Sequence, residues 1–157
     1  MTETKPDHPF TYNFLNHQFI STVSEKDPRE KNDIESRDDL MLLVRHFYDL
    51  MLRDDMLAPI FTDVAKIDLE KHLPHLVDFW HSLLFRTGEY RRNVMNMHID
   101  LHLKTALEKK HFDRWLSYFR KSVNQFFEGP RSTEAIERAT SIALLMQVKI
   151  GQVDRIV

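Results

Sequence analysis

From Ser36 onward the apolar residues fall at three- and four-residue steps, so the chain reads as a succession of amphipathic helices. Leu40, Leu43, Val44, Phe47, Leu50 and Met51 form one face of the first. It opens at Ser36-Arg37-Asp38-Asp39, where a serine and an acid three residues on can each satisfy the other's backbone N–H. Asp54-Asp55 ends it, and Ala58-Pro59-Ile60-Phe61 turns the chain. The next helix is expected from about Leu69 to Phe85, with Leu73, Leu76, Val77, Trp80, Leu83 and Leu84 inward, Pro74 near the first turn and Gly88 closing it. A shorter and less regular helix follows over roughly Arg92 to Leu103, carrying Val94, Met95, Met97, His98, Leu101 and His102. Lys110 to Phe127 is strongly amphipathic through Phe112, Trp115, Leu116, Phe119, Val123 and Phe126. Gly129-Pro130 breaks that run, and Ser132 or Thr133 is placed to cap a last helix reaching about Val153. The pattern predicts an all-α domain over residues 37–157.

Residues 1–36 behave differently. Three of the six prolines (Pro6, Pro9, Pro28) fall there, acidic residues outnumber basic ones by 7 to 4, and Phe10 through Ile20 is aromatic without a clean period. This predicts an N-terminal arm, flexible or docked by its apolar patch, with His8 and His17 in solvent.

Composition narrows the function. A chain of 157 residues, 42% apolar and 11% aromatic, can close one core. Three glycines are too few for a β-sandwich, and no glycine-rich phosphate loop occurs. The absence of cysteine removes disulfides, thiolate metal sites and cysteine nucleophiles. A net charge of −2 with interspersed signs lacks the basic stripe of a nucleic-acid binder. No apolar run suits a signal peptide or a membrane span, so a cytoplasmic protein with no membrane partner is expected.

What can do chemistry is chiefly histidine, of which there are nine. His46 flanks the first apolar stripe and His111 begins a helix, so structural roles are the expectation for both. His72 and His75 share one helix face, as do His98 and His102. The His98-x-x-x-His102 spacing matches helical zinc chelation, but Ile99 stands where a metallohydrolase needs Glu. A di-iron bundle needs two Glu-x-x-His motifs, and only Glu108-Lys109-Lys110-His111 is present. Tyr48 beside an apolar stripe, His72 with Leu76, Phe79 and Trp80, and Trp115 opening another apolar face suit a large flat apolar ligand wanting one nitrogen donor. Haem is such a ligand. The same letters also fit a cofactor-free helical interaction module whose core these side chains complete.

In order along the chain, Phe47-Tyr48, Ala58-Pro59-Ile60-Phe61, His72-x6-Phe79-Trp80, a following histidine and His111-Phe112-x-x-Trp115-Leu116 resemble the truncated haemoglobins, and among them the group III branch. The resemblance covers about residues 38–153. It implies a shortened globin fold, a two-over-two helical sandwich around haem b, whose iron is five-coordinate and binds O2 reversibly, with NO, CO or peroxide as further ligands. It implies Tyr48 as the distal tyrosine, His72 as a gate or second donor, Leu76 as the apolar distal position, and Trp115 as an indole donor. Phe47, Phe61 and Phe79 are then aromatic neighbours of the haem. For the proximal ligand, counting back from Trp115 favours His102 and counting forward from Tyr90 favours His98; His102 is the first choice and His98 the alternative. The implied partners are diatomic ligands and an unidentified reductant, in a monomer or weak dimer. A haem enzyme for NO or peroxide detoxification is the alternative within the same cofactor class.

Overall fold

The structure, a computed structural model, describes residues 10–13, 18–21 and 30–156. It divides into two units that part between Glu30 and Lys31. The described part of the first is an antiparallel hairpin, β1 (Phe10–Asn13) and β2 (Gln18–Ser21), with Phe10 opposite Ser21 and Asn13 opposite Gln18. His8, His17 and the three prolines expected in the arm lie outside the described residues. Residues 31–36, read from the sequence with that arm, belong to the second unit, where Ile34 is fully buried.

The second unit is helical: α1 (Arg37–Met51), a π-helical turn (Ile60–Val64), α2 (Leu69–Leu84), α3 (Val94–Lys104), α4 (Lys109–Phe126) and α5 (Pro130–Val153). Helix α1 packs on α2 and α4, while α5 packs on α4, α2 and α3. The pair α1–α2 therefore lies over the pair α4–α5, with α3 at the side of α5. No helix among the described residues is long and apolar enough to cross a membrane.

The predicted stripes of α1, α2 and α4 supply the buried faces, whereas that of α3 contains no buried residue. Leu40, Leu43, Val44 and Met51 of α1 meet Leu73 of α2 and Phe119 and Val123 of α4, all essentially without solvent contact. Burying each such side chain contributes roughly 1.5–3 kcal/mol. Aromatic rings interlock at the centre. Phe119 stacks on Trp80 at 4.7 Å and on Trp115 at 5.8 Å, and Phe47 stands edge-on to Trp115 and Phe119.

Helix ends follow the capping chemistry with instructive departures. The Ser36 hydroxyl accepts from the Asp39 N–H at 3.1 Å, and the Asp39 carboxylate accepts from the Ser36 N–H at 2.9 Å, as expected. Helix α2 closes earlier than expected, because Arg86 at φ 57° already turns the chain before Gly88. Pro74 lies in its second turn on the exposed face, where water can serve the carbonyl its ring leaves unpaired. Neither Ser132 nor Thr133 caps α5. Gly129 is the cap residue and Pro130 the first helical residue, and the capping carboxylate comes from across the fold. Asp33 accepts from the Arg131 and Ser132 N–H groups, each at 2.8 Å, and from the Ser132 hydroxyl at 2.7 Å. The segment before α1 is thereby tied to α5. Gly129, at φ 151°, must be glycine here, since a Cβ would lie 2.5 Å from the Asp33 carboxyl carbon.

Asp54 does the same for the turn after α1. Its buried carboxylate accepts from the Met56 and Leu57 N–H groups, the Tyr118 hydroxyl at 2.6 Å and Arg114 at 2.9 Å. Burial opposes the charge, yet these donors hold the carboxyl below the usual carboxylate range.

Asp33 generates a prediction. Burial pushes its pKa up, but the bonds from Ser132, Arg131 and Ile34 outweigh that and leave it depressed. A depressed carboxylate stabilises the fold above its unfolded pKa, and the contribution disappears as the pH falls through the folded value, below about pH 4. Asp33→Ala is expected to cost about 1–2 kcal/mol at neutral pH, as loss of a helix cap does. Urea unfolding should show the gap from the wild type narrowing in acid; a pH-independent gap would contradict the role.

Candidate functional site

A cavity of about 410 Å³ opens between α1, the π-helical turn, α2, α3, α4 and α5. Its wall is largely apolar, and Phe47, Tyr48, Phe61, His72, Leu76, Phe79, His98 and Trp115 all line it. The structure thus brings together every expected site residue except His102. Its size and apolar lining are those of a pocket for a small organic ligand or cofactor.

Helix periodicity puts Tyr48 on the buried side of α1 and His72 in the first turn of α2, facing each other over one turn of the cavity wall. The Tyr48 Oη lies 2.8 Å from the His72 Nε2, a direct hydrogen bond. Phe61, from the π-helical turn, stands edge-on to the Tyr48 ring at 5.6 Å and covers it. Burial pushes the Tyr48 phenol well up, so it keeps its proton at any physiological pH. The His72 imidazole is pushed down, first by burial and then by the positive charges of His75, His98 and Arg92. Phenol and imidazole therefore meet as neutral partners.

His98 sits in the first half of α3, part-buried. Its Nδ1 donates to the Val94 carbonyl one turn back at 2.8 Å, which fixes the ring plane against its own helix. No hydrogen bond to the Nε2 is seen among the described residues, and the residue lines the cavity. Burial holds this imidazole below its ordinary pKa, with the Val94 bond working the other way. A part-buried imidazole with one nitrogen bonded to backbone and the other unbonded is a configuration that suits a metal ligand.

His102 lies elsewhere. Its Nδ1 accepts from the Leu107 N–H at 3.0 Å and its Nε2 lies 2.7 Å from the Asp154 carboxylate, so both nitrogens are engaged away from the cavity. Of the two histidines expected as alternatives for the iron ligand, the structure places His98 on the cavity wall and His102 off it. The last turn of α3 reaches the cavity through Leu101 and Lys104, while His102 between them points to α5 and the α3–α4 link.

Two other histidines have plain structural duties. His46 meets the Ser122 hydroxyl at 2.9 Å and stands edge-on to Phe126. His111 accepts from the Glu108 N–H at 2.8 Å, so Glu108-Lys109-Lys110-His111 is a helix start, not half of a dinuclear site.

The rim was not legible beforehand. His75, Tyr90, Arg92 and Lys104 border the opening. Tyr90 and Arg92 come from the loop before α3, which has no periodicity to read. Ile142, Ala143 and Met146 of α5 supply another wall. Their helical spacing marks them as inward, and spacing alone does not distinguish filled core from cavity lining.

A helical two-over-two fold enclosing an apolar cavity lined by several histidines is the architecture of the globin class. The chain belongs to the bacterial-like globin family, whose family model matches residues 32–148, and that family implies a haem cofactor. The sequence is similar to a group 3 truncated haemoglobin of Campylobacter jejuni, 24% identical over 111 residues that cover 69% of this chain and 85% of that one. The crystal structure of a group III truncated haemoglobin from Campylobacter jejuni superposes with a TM-score of 0.67 at 23% identity, over 77% of this chain and 95% of that chain. The fold is accordingly the truncated globin sandwich.

The electrostatics give a test. His72 and His98 have folded pKa values below their unfolded ones, so the unfolded chain binds protons first as the pH drops. Stability of the haem-free protein is expected to be complete above about pH 6.5 and to fall as the pH goes below it. By NMR titration, the His72 midpoint should lie below about 6.5 and rise in Arg92→Gln, while remaining depressed because burial is the largest cause. A midpoint at or above the ordinary value would contradict this.

Proposed function

We propose that this protein is a haem-binding globin that holds haem b in the cavity and binds O2 and other diatomics reversibly, with His98 as the axial imidazole and Tyr48, His72 and Trp115 as ligand-facing donors. The single observation that carries the reading is His98, which lines an apolar cavity with its Nδ1 committed to the Val94 carbonyl, leaving Nε2 as the nitrogen available to a metal. Had Tyr48, His72 and Trp115 only completed a core, close packing would leave no such space.

The residues present fit the group. Phe47, Phe61, Leu76, Phe79, Phe112 and Leu101 offer apolar surface to a flat ring. Arg92 and Lys104, exposed at the rim, offer positive charge to its carboxylate edge. Haem, when bound, supplies an iron that takes an imidazole nitrogen on one face and a diatomic molecule on the other.

The chain's own contribution is to hold protons at defined atoms. With His72 neutral, two tautomers are available to the Tyr48–His72 pair. When the proton sits on Nδ1, the phenol donates to Nε2 and its hydrogen is committed. When Nε2 carries the proton, it donates to the Oη, and the phenolic O–H is released toward the cavity. The pair can therefore withhold or present a donor without any change of charge. A fixed donor in a water-poor pocket favours a ligand that gathers negative charge. One such bond is worth roughly 1.5–3 kcal/mol, so two slow ligand release by orders of magnitude. Slow release favours sensing or NO and peroxide chemistry over bulk oxygen delivery.

The reading is tested by loading the purified chain with haem and recording its absorption. A sharp Soret band that shifts on dithionite and again on carbon monoxide is the expected outcome. His98→Gly should retain haem only with added imidazole, while His102→Gly should keep the wild-type spectrum class; the reverse result would overturn the ligand assignment. Stopped-flow measurement should show Tyr48→Phe releasing O2 at least about tenfold faster, the equivalent of one hydrogen bond of 1.4 kcal/mol. An unchanged rate would remove Tyr48 from the role.

A further inference from the structure

The His102 imidazole, displaced from the ligand role, is the least explained polar group near the cavity. Its side chain is 8% exposed, and it touches three separate parts of the unit. It belongs to the last turn of α3. Its Nδ1 accepts from the Leu107 N–H in the link to α4, so the ring's proton lies on Nε2, which donates to Asp154 at the end of α5.

This joint matters because α3 is otherwise held by partly buried apolar contacts alone, Leu101 on the main core and Val94 and Met95 on the smaller cluster of Phe112, Ala143, Met146 and Ile150. The helix contains no buried residue, unlike α1, α2, α4 and α5. Its packing partner is α5. Its own N-terminus is capped within the helix, by the Asn93 side chain accepting from the Asn96 N–H. His98 is fixed relative to α3 by the Val94 carbonyl, one turn before His102. Whatever fixes α3 relative to the other helices therefore fixes the His98 ring relative to the cavity. The Leu107 end of the joint acts on the cavity too, because Leu107 lines it.

We propose that His102 and Asp154 are positioning residues that clamp the end of α3 to α5 and so set the position and play of the His98 imidazole. This rests on His98 being the axial ligand. The clamp is bidentate in effect: one ring nitrogen fixes the α3–α4 link and the other fixes the α5 terminus, so its loss frees α3 as a unit. Asp154 is more than half exposed, so removing its carboxylate opens no void in the core.

Two kinds of measurement test it. In the haem-free protein, hydrogen exchange of the α3 amides should rise about tenfold in Asp154→Ala, the equivalent of one lost hydrogen bond, with α1 and α4 amides unmoved. In the haem-loaded ferrous protein, the same variant should broaden or shift the iron–imidazole stretching band and speed haem transfer to excess apomyoglobin. Asp154→Asn, whose amide oxygen still accepts from Nε2, should restore both readouts. His102→Phe, which keeps the bulk and loses both bonds, should reproduce Asp154→Ala. Wild-type α3 exchange and an unmoved band in Asp154→Ala would overturn the clamp, as would equal acceleration in every helix, which marks a merely global loss of stability. Failure of the underlying reading looks different: His98→Gly would then keep its haem without imidazole, while the exchange result in the haem-free chain would still report on the clamp itself.

Discussion

The contact of α1 with both α2 and α4 is the constraint on which the remaining structure depends. Leu40, Leu43, Val44, Phe47 and Met51 share one face of a helix of 15 residues, and that face must be covered on two sides. Covering it with Leu73 and Trp80 from α2 and Phe119 and Val123 from α4 fixes the angle between the two layers. Tyr48 follows Phe47 on the edge of the same face, so it is delivered to the boundary between packed core and open cavity. The aromatic cluster of Phe47, Trp80, Trp115 and Phe119 forms the rigid side of that boundary, since rings held edge-on or stacked against one another resist collapse into the space beside them.

A second feature is that the polar joints between segments are made by single side chains reaching far along the chain. Asp33 caps α5 from before α1, Asp54 ties the turn after α1 to α4, and His102 ties α3 to the end of α5. Each satisfies backbone N–H groups that would otherwise be unpaired, at the start of α5, in the turn after α1 and in the α3–α4 link. With no buried side-chain N or O atom lacking a partner among the described residues, the unit carries an open apolar cavity without a buried polar penalty elsewhere.

The electrostatics of the cavity follow from burial more than from charge pairing. The Tyr48 phenol is pushed up and the His72 and His98 imidazoles are pushed down, all with burial as the first cause. All three groups are thereby neutral, and each keeps the hydrogen or the lone pair that a ligand pocket needs. Charge is left to the rim, at Arg92 and Lys104, where water can solvate it.

The sequence by itself determined the helices and the inward faces of α1, α2 and α4. Periodicity of 3.6 is a local property, and Leu40 to Met51 or Phe112 to Phe126 display it without reference to any neighbour. The order of Tyr48, His72, Trp115 and a histidine between them was also legible, because residue type and spacing carry it. What only the tertiary structure decided was which of two histidines on one helix face looks into the cavity, which residue caps α5, and which charges form the rim. His98 and His102 are one turn apart and alike in sequence terms. They differ in that the end of α3 meets Leu107 and Asp154, partners 5 and 52 residues away. Asp33 and Arg131 are likewise 98 positions apart. Such choices rest on contacts between segments remote in the chain, and a one-dimensional pattern holds no record of them until the helices have packed.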